Sequence, residues 1–204
     1  MIEITQIAMK IKLLSTLTQE QRQFVKGLAC NKTSVLFKAN EPCHTLGMVI
    51  SGEVQIVIGT PNGKDIIYES LHAGDIFGLE SIFSSAPTYR GDVIALGKST
   101  LALIEKDKVV EFMSSNIEFL NEFLRMQSDK ITELNATIKI LDSDNCDERL
   151  LTYIELHGKQ MKIKSIQYVA NQIHVTREAL SRCIKKLVEK GQITKNGNLI
   201  KLNK

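Results

Sequence analysis

Between residues 35 and 105 the apolar positions fall in short runs: 35–37, 48–50, 54–58, 66–68, 93–96 and 101–104. Turn-forming residues stand between them, at Ser51-Gly52, Pro61-Asn62-Gly63, Ala73-Gly74-Asp75 and Gly97-Lys98. Short runs with this punctuation predict many short strands, in a roll, sandwich or barrel. Ahead of them, 14–28 predicts a helix. Thr18 is a good N-cap there, and Gln21 three residues on completes a capping box.

From Lys106 the period changes. Ile117, Leu124, Ile131 and Ile138 fall seven apart, and Leu120, Gln127, Leu134 and Leu141 fall seven apart between them. No Pro or Gly interrupts the stretch from Lys98 to His157. Isoleucine at a with leucine at d predicts a two-stranded parallel coiled coil, and so a dimer seam along a long helix. Gln127 is the one polar member; it either fixes the register or faces solvent where the coil splays. The polar stretch 142–148 then predicts a hinge, followed by a helix over 149–157.

The last third reads as a winged helix-turn-helix. Val169, Ala170 and Ile173 give a first helix its inward face, and Val175 plugs the turn. Leu180, Cys183 or Ile184, and Leu187 form the inward stripe of a second helix that starts at the N-cap Thr176. Gly191 ends that helix. Residues 193–195 and 199–202 predict a hairpin about Asn196-Gly197, the wing. His174 stands where the turn favours glycine, and must take a positive φ less easily.

The outward face of the second helix carries Arg177, Glu178, Ser181 and Arg182. Such a helix enters the major groove of double-stranded DNA with its N-terminal half. Arg182 can donate two hydrogen bonds to a guanine, and Glu178 can accept one from a cytosine. The pair also has the i,i+4 spacing at which the carboxylate would brace the guanidinium. Ser181 can bond a base or a phosphate. Lys185 and Lys186 point on towards the phosphate backbone, where they add affinity without sequence information.

Composition sharpens this picture in one respect. The chain is 204 residues, 43% apolar and 24% charged, with a net charge of +3. That charge is unevenly divided: residues 143–204 hold 12 basic and 6 acidic side chains, whereas residues 1–142 hold 14 and 17. A basic C-terminal third on an acidic body suits a nucleic-acid partner. No apolar run approaches the ~20 residues of a membrane span, and the first residues show no signal-peptide pattern. Cys30, Cys43, Cys146 and Cys183 are scattered without CxxC spacing, which predicts free thiols in a reducing cytoplasm rather than a disulfide or metal framework.

The order β-roll, long dimer helix, winged helix-turn-helix resembles the family of the cyclic-AMP receptor protein and the fumarate–nitrate reduction regulator. The stretch ISGEVQIVI…NGKDIIYESLHAGDIFGLESIF, with Gly52, Gly74, Asp75 and Gly78, is similar to that family's β-roll signature. The expected fold is therefore α+β. It comprises a cyclic-nucleotide-binding-like roll over 1–105, a coiled-coil dimerisation helix over 106–142 and a winged helix-turn-helix over 143–204. The resemblance implies a cytoplasmic homodimeric transcription regulator that binds a palindromic operator, with RNA polymerase as a further partner if it activates. Arg177, Glu178 and Arg182 match one branch's base-reading pattern, and Glu178, Ser181 and Arg182 the other's. Both imply a half-site containing TGA.

For the effector, the resemblance implies a phosphate-binding Glu just after Gly78, an Arg on the following strand, and a Thr-Ser pair on the dimer helix. An ungapped alignment puts these at Leu79, Tyr89 and Leu134-Asn135, and all depart from the pattern. Glu80 and Arg90 lie one residue away, on what would be the opposite face of a strand. Cyclic AMP is therefore not the expected signal; the effector is an unknown small molecule or none. A cyclic-nucleotide-gated activator using Glu80 and Arg90 is the alternative. An iron–sulfur cluster is not expected, because Cys30 and Cys43 are too dispersed. Cys43-His44 and His72 suggest haem ligands by residue type alone. No metal, cofactor or enzymatic site is expected. A β-barrel enzyme, the last alternative, would need a His and carboxylate cluster that His44, His72, His157 and His174 do not form in sequence.

Overall fold

The computed structural model describes residues 11–60, 62–63, 65–163 and 165–203. Residues 1–10, where a leader was looked for, and Pro61 of the predicted turn lie outside them. The chain divides into two compact units, 1–127 and 128–204.

The first unit opens with two single-turn helices, α1 (Lys12–Ser15) and α2 (Gln19–Arg22), and not with the one helix expected over 14–28. Thr18 is the reason. It is extended, at φ −65° and ψ 165°, and with Gln21 it forms the reciprocal capping box. A residue that caps a new helix cannot continue the old one. By Lys26 the chain has already entered β1 (Lys26–Cys30).

β2 (Ser34–Phe37), β3 (Thr45–Gly59), β4 (Asp65–Leu71), β5 (Ile76–Phe77) and β6 (Asp92–Glu105) complete a six-stranded antiparallel sheet. The sheet runs β1-β6-β3-β4, with β2 also on β6 and β5 also on β3. β3 and β6 are long, and each absorbs two of the predicted runs. Ser51-Gly52 and Gly97-Lys98, read from sequence as turns, lie inside these strands, where the β3–β6 register shifts on both sides of Ser51. Gly52 takes φ 87° there. Ser99, buried opposite it, bonds the Glu53 amide and carbonyl and the Leu96 carbonyl. The glycines mark bulges that bend two strands together, and such bends are what curl a sheet into a roll. Gly63 (φ 71°) turns β3 into β4.

The stretch expected as one helix from 106 is two: α3 (Lys106–Ser115) and α4 (Ile117–Leu141). Asn116 breaks it without Pro or Gly. Its Oδ1 accepts from the Glu118 and Phe119 amides, while its Nδ2 donates to the Thr16 carbonyl and to Gln21. An Asn side chain that can cap is a competitor to helix continuation.

Glu122, on α4, is 95% buried, yet carries charge. Both its oxygens accept from Arg125, and Lys12 lies 2.9 Å away. Arg125 above all, against the opposing effect of burial, holds the carboxyl at about 2 instead of 4.5. A folded-state value below the unfolded one gives stability that is complete above about pH 4.5 and disappears as the pH falls towards 2. Because Lys12 and Arg125 are both well exposed, we expect about 2 kcal/mol after solvent screening. Glu122→Gln should therefore lower the melting temperature at pH 7 and by about half as much or less at pH 3, by calorimetry. An equal deficit at both pH values contradicts the ion-pair assignment.

The second unit holds α5 (Cys146–Leu156), β7 (Gln160–Lys162), α6 (Ile166–Gln172), α7 (Arg177–Glu189), β8 (Ile193–Asn196) and β9 (Leu199–Leu202). α5 starts earlier than the predicted hinge allows, since Asn145 caps it by accepting from the Glu148 amide. Its Leu150 and Ile154 pack with Val169, Ile173, Leu180, Ile184, Leu187, Ile193 and Ile200 in one apolar core. β7 went unread in the sequence; it pairs with β9 and makes the wing a three-stranded sheet. The β8–β9 loop is Gly197-Asn198, one residue later than predicted, because Asn196 still pairs with Leu199. No helix among the described residues is long and apolar enough to cross a membrane.

Candidate functional site

α7 is built to show one face. Thr176 caps it through a bond from the Ala179 amide, and Leu180, Cys183, Ile184 and Leu187 are buried beneath it. Its start is fixed by the turn: His174 takes φ 53°, and Val175 donates back to the Ala170 carbonyl. Arg149 on α5 reaches the His174 carbonyl at 3.5 Å. Thr176, Arg177, Glu178, Ser181, Arg182, Lys185 and Lys186 are all exposed.

Three of these differ from the expectation. Glu178 and Arg182 form no ion pair among the described residues, so the brace predicted from their spacing is not made. The carboxylate and the guanidinium are both presented outward. Lys186, expected to reach for phosphate, lies 2.5 Å from Asp147 Oδ2 at the start of α5. The pair holds the Asp147 carboxyl below its ordinary value and the Lys186 ammonium above its own. Lys186 sits round the helix towards α5, away from the Glu178 face.

The heptad positions of α4 are also exposed: Ile117 by 67%, Ile131 by 58% and Ile138 by 63%, with Leu124, Leu134 and Leu141 beside them and Leu120 half-buried. α4 carries a second apolar stripe that the heptad reading did not distinguish. Phe119 and Phe123 are buried, and Met126 packs against the same core. Phe119 meets Phe112, and Phe123 meets Phe83, edge to face. Gln127 belongs to this inner side: its amide donates to the Leu79 carbonyl at 2.8 Å. It is partly buried, on the side of α4 that meets the roll.

In the roll, the effector candidates separate. A cavity of about 20 Å³ is lined by Gly78, Glu80, Tyr89 and Arg90 with Ile56 and Tyr68. Leu79, placed at the phosphate position by the ungapped alignment, is buried in the core instead, and Leu134 and Asn135 are exposed on α4. Tyr89 forms a wall: it stacks on Phe37 at 4.6 Å and donates to the Thr45 carbonyl, and burial pushes its hydroxyl's pKa up. Glu80 and Arg90 are the charged residues on the wall, which reverses the expectation that a one-residue offset turns them away. Gly78 has φ 81°, and a Cβ there would stand 2.7 Å from the Thr45 carbonyl oxygen.

Cys43 is fully buried and His44 and His72 are exposed, so the haem candidates share no site. Among the described residues no three His, Cys, Asp or Glu gather as a metal-ligand group.

A bulged antiparallel roll is thus followed along the chain by a winged helix-turn-helix. Residues 28–116 match the cyclic nucleotide-binding domain family. The anaerobic regulatory protein of Pasteurella multocida is 23% identical over 184 residues, which are 84% of this chain and 66% of that one. The cAMP-activated global transcriptional regulator CRP of the same organism is 23% identical over 82% of this chain and 85% of its own. The catabolite activator protein of Thermus thermophilus shares the fold, with a TM-score of 0.56 at 15% identity over 94% of this chain and 93% of that one. Residues 28–116 are thus similar to a cyclic nucleotide-binding domain, and the relatives that match most of this chain carry the names of transcription regulators.

Proposed function

We propose that the protein is a homodimeric transcription regulator that reads palindromic operators with TGA-containing half-sites. One observation carries the reading: α7 buries one face completely and presents Arg177, Glu178, Ser181 and Arg182 on the other, with no ion pair between them. A carboxylate among exposed cations gives a phosphate-binding surface nothing, whereas a base-reading helix gains an acceptor for cytosine. The exposed isoleucine seam of α4 is the surface on which two copies pair, which sets two half-sites about one helical turn apart.

Glu178→Ala should lower the ratio of specific to non-specific DNA affinity about tenfold, within the 1–3 kcal/mol weight of one base contact. Lys185→Ala should weaken all sequences alike and reduce the salt slope of log K by about 1. Selection from random duplexes is the measurement. An unchanged preferred site in Glu178→Ala removes that residue from base reading.

The signal we assign to the roll is not cyclic AMP. The cavity of about 20 Å³ has room for roughly one water, not a nucleotide. A second reading rests on Glu80 and Arg90, whose charges line that cavity and could meet a ribose hydroxyl and a phosphate if it widened. Calorimetric titration with cyclic AMP and cyclic GMP decides between them. We expect no heat of binding; a micromolar site abolished by Arg90→Ala establishes the second reading.

A further inference from the structure

The four cysteines fall into two groups. Cys30 and Cys43 are buried in the core of the first unit. Cys146 and Cys183 meet in the second. The Cys183 thiol donates to the Cys146 carbonyl at 3.3 Å, across 37 residues of chain, and the Cys146 side chain packs on the same apolar cluster. Cys146 is the first residue of α5 and is partly exposed; Cys183 is 4% exposed, in the middle of α7. Burial, then the Cys146 side chain, pushes the Cys183 thiol pKa up. The neighbouring Asp147 carboxylate adds to that upward push.

We propose that Cys146 and Cys183 are a redox-modifiable pair that closes to a disulfide under a peroxide, and that the closed form binds DNA more weakly. Exposure divides the roles. The Cys146 thiol gives up its proton and the thiolate attacks a peroxide oxygen; the O–O bond breaks, giving the sulfenic acid and a hydroxide that takes up that proton as one water. The Cys183 sulfur then attacks the Cys146 sulfur; the S–O bond breaks, the S–S bond forms, and hydroxide leaves. The proton from Cys183 passes to the Asp147 carboxylate and on to that hydroxide as a second water. In total two thiols lose two electrons and two protons to one hydrogen peroxide, and a dithiol reductant reverses the change.

The consequence for α7 is geometric. A disulfide holds its sulfurs at about 2.05 Å and its Cβ atoms near 3.8 Å, closer than two thiols in contact. Closure therefore draws α7 towards the start of α5 at the residue following Arg182. It also disturbs the Asp147–Lys186 pair that joins the same two helices. A base-reading side chain displaced in this way loses its hydrogen-bond geometry, and one bidentate contact is worth about tenfold in affinity.

The DNA half of this proposal rests on the reading of α7 given above; the covalent half does not. The full chain is treated with hydrogen peroxide, digested without reduction and mapped by mass spectrometry, and operator affinity is measured before, after, and after dithiothreitol. We expect a peptide pair joining Cys146 to Cys183, two hydrogens lighter, with Cys30 and Cys43 still reduced. Operator affinity should fall about tenfold and return on reduction. In Cys146→Ser, a change at a partly exposed position, the cross-link and the redox response should both disappear while reduced affinity is kept. No Cys146–Cys183 peptide, or a response that persists in Cys146→Ser, overturns the pair. A cross-link that leaves affinity unchanged overturns the regulatory half. Reduced protein that selects no sequence at all counts against the DNA reading, and leaves the cross-link to be judged from its peptide.

Discussion

Ile131→Asp should convert the protein from dimer to monomer in light scattering at micromolar concentration. Ile131 is exposed by 58% in the single chain, in the middle of a seam that continues through Ile117 and Ile138. Burying an isoleucine contributes roughly 1.5–3 kcal/mol, and the substitution removes two per dimer. It also brings two carboxylates together at a desolvated a position, where like charges repel. A total of about 6 kcal/mol raises the dissociation constant by about four decades. Loss of the dimer should cost operator binding more than hundredfold, because each chain can then hold only one half-site. Thr132→Asp, one residue along on an exposed position, is the control and should leave the dimer intact. A dimeric Ile131→Asp protein with unchanged affinity would falsify the seam.

What could be read from sequence depended on the range of the interaction responsible. α7 was legible because all its determinants are local: the Thr176 cap, the Leu180–Leu187 stripe, the positive φ at His174. The heptads of α4 were legible for the same reason. The inner stripe of that helix was not, since Phe119, Glu122 and Phe123 are defined by what they touch: Phe112, Lys12, Arg125 and Phe83. A polar d residue likewise gave no hint that Gln127 bonds Leu79. Gly52 and Gly97 were seen as chain punctuation but misassigned to turns. A glycine at positive φ is compatible with a turn or a bulge, and only the partner strand decides which. The candidate pocket of the roll suffered most. A one-residue offset between Leu79-Glu80 and Tyr89-Arg90 depends on how the loop between them packs, and an ungapped alignment carries no information about that packing.

Gly47→Ala should be the most destabilising single methyl in the first unit, and nothing near Gly47 in the sequence announces it. Gly47 pairs with Leu103 on one side and Phe77 on the other. A Cβ built there falls 1.9 Å from Phe77 Cζ, overlapping the far end of the ring. The bare glycine backbone is covered by the aromatic ring, which is itself 1% exposed and packed against Phe37. Gly52 is constrained differently, by a positive φ and by Lys98 and Ser99 backbone atoms at 2.7 Å. At Gly47 the obstacle is a side chain, so the ring must swing out of the core or the strand must move. Either should cost about 3 kcal/mol, at the upper end of overpacking penalties. That predicts a marked fall in the urea midpoint of the transition that reports on the roll. The ring's role has its own signature. Phe77→Ala alone should cost about 3–5 kcal/mol. The double variant Gly47→Ala, Phe77→Ala should lose clearly less than the sum, since the clash and the ring disappear together and contacting residues couple by up to about 3 kcal/mol. Strict additivity in that cycle means the methyl is accommodated by the β3 backbone, and the ring is not what keeps residue 47 a glycine.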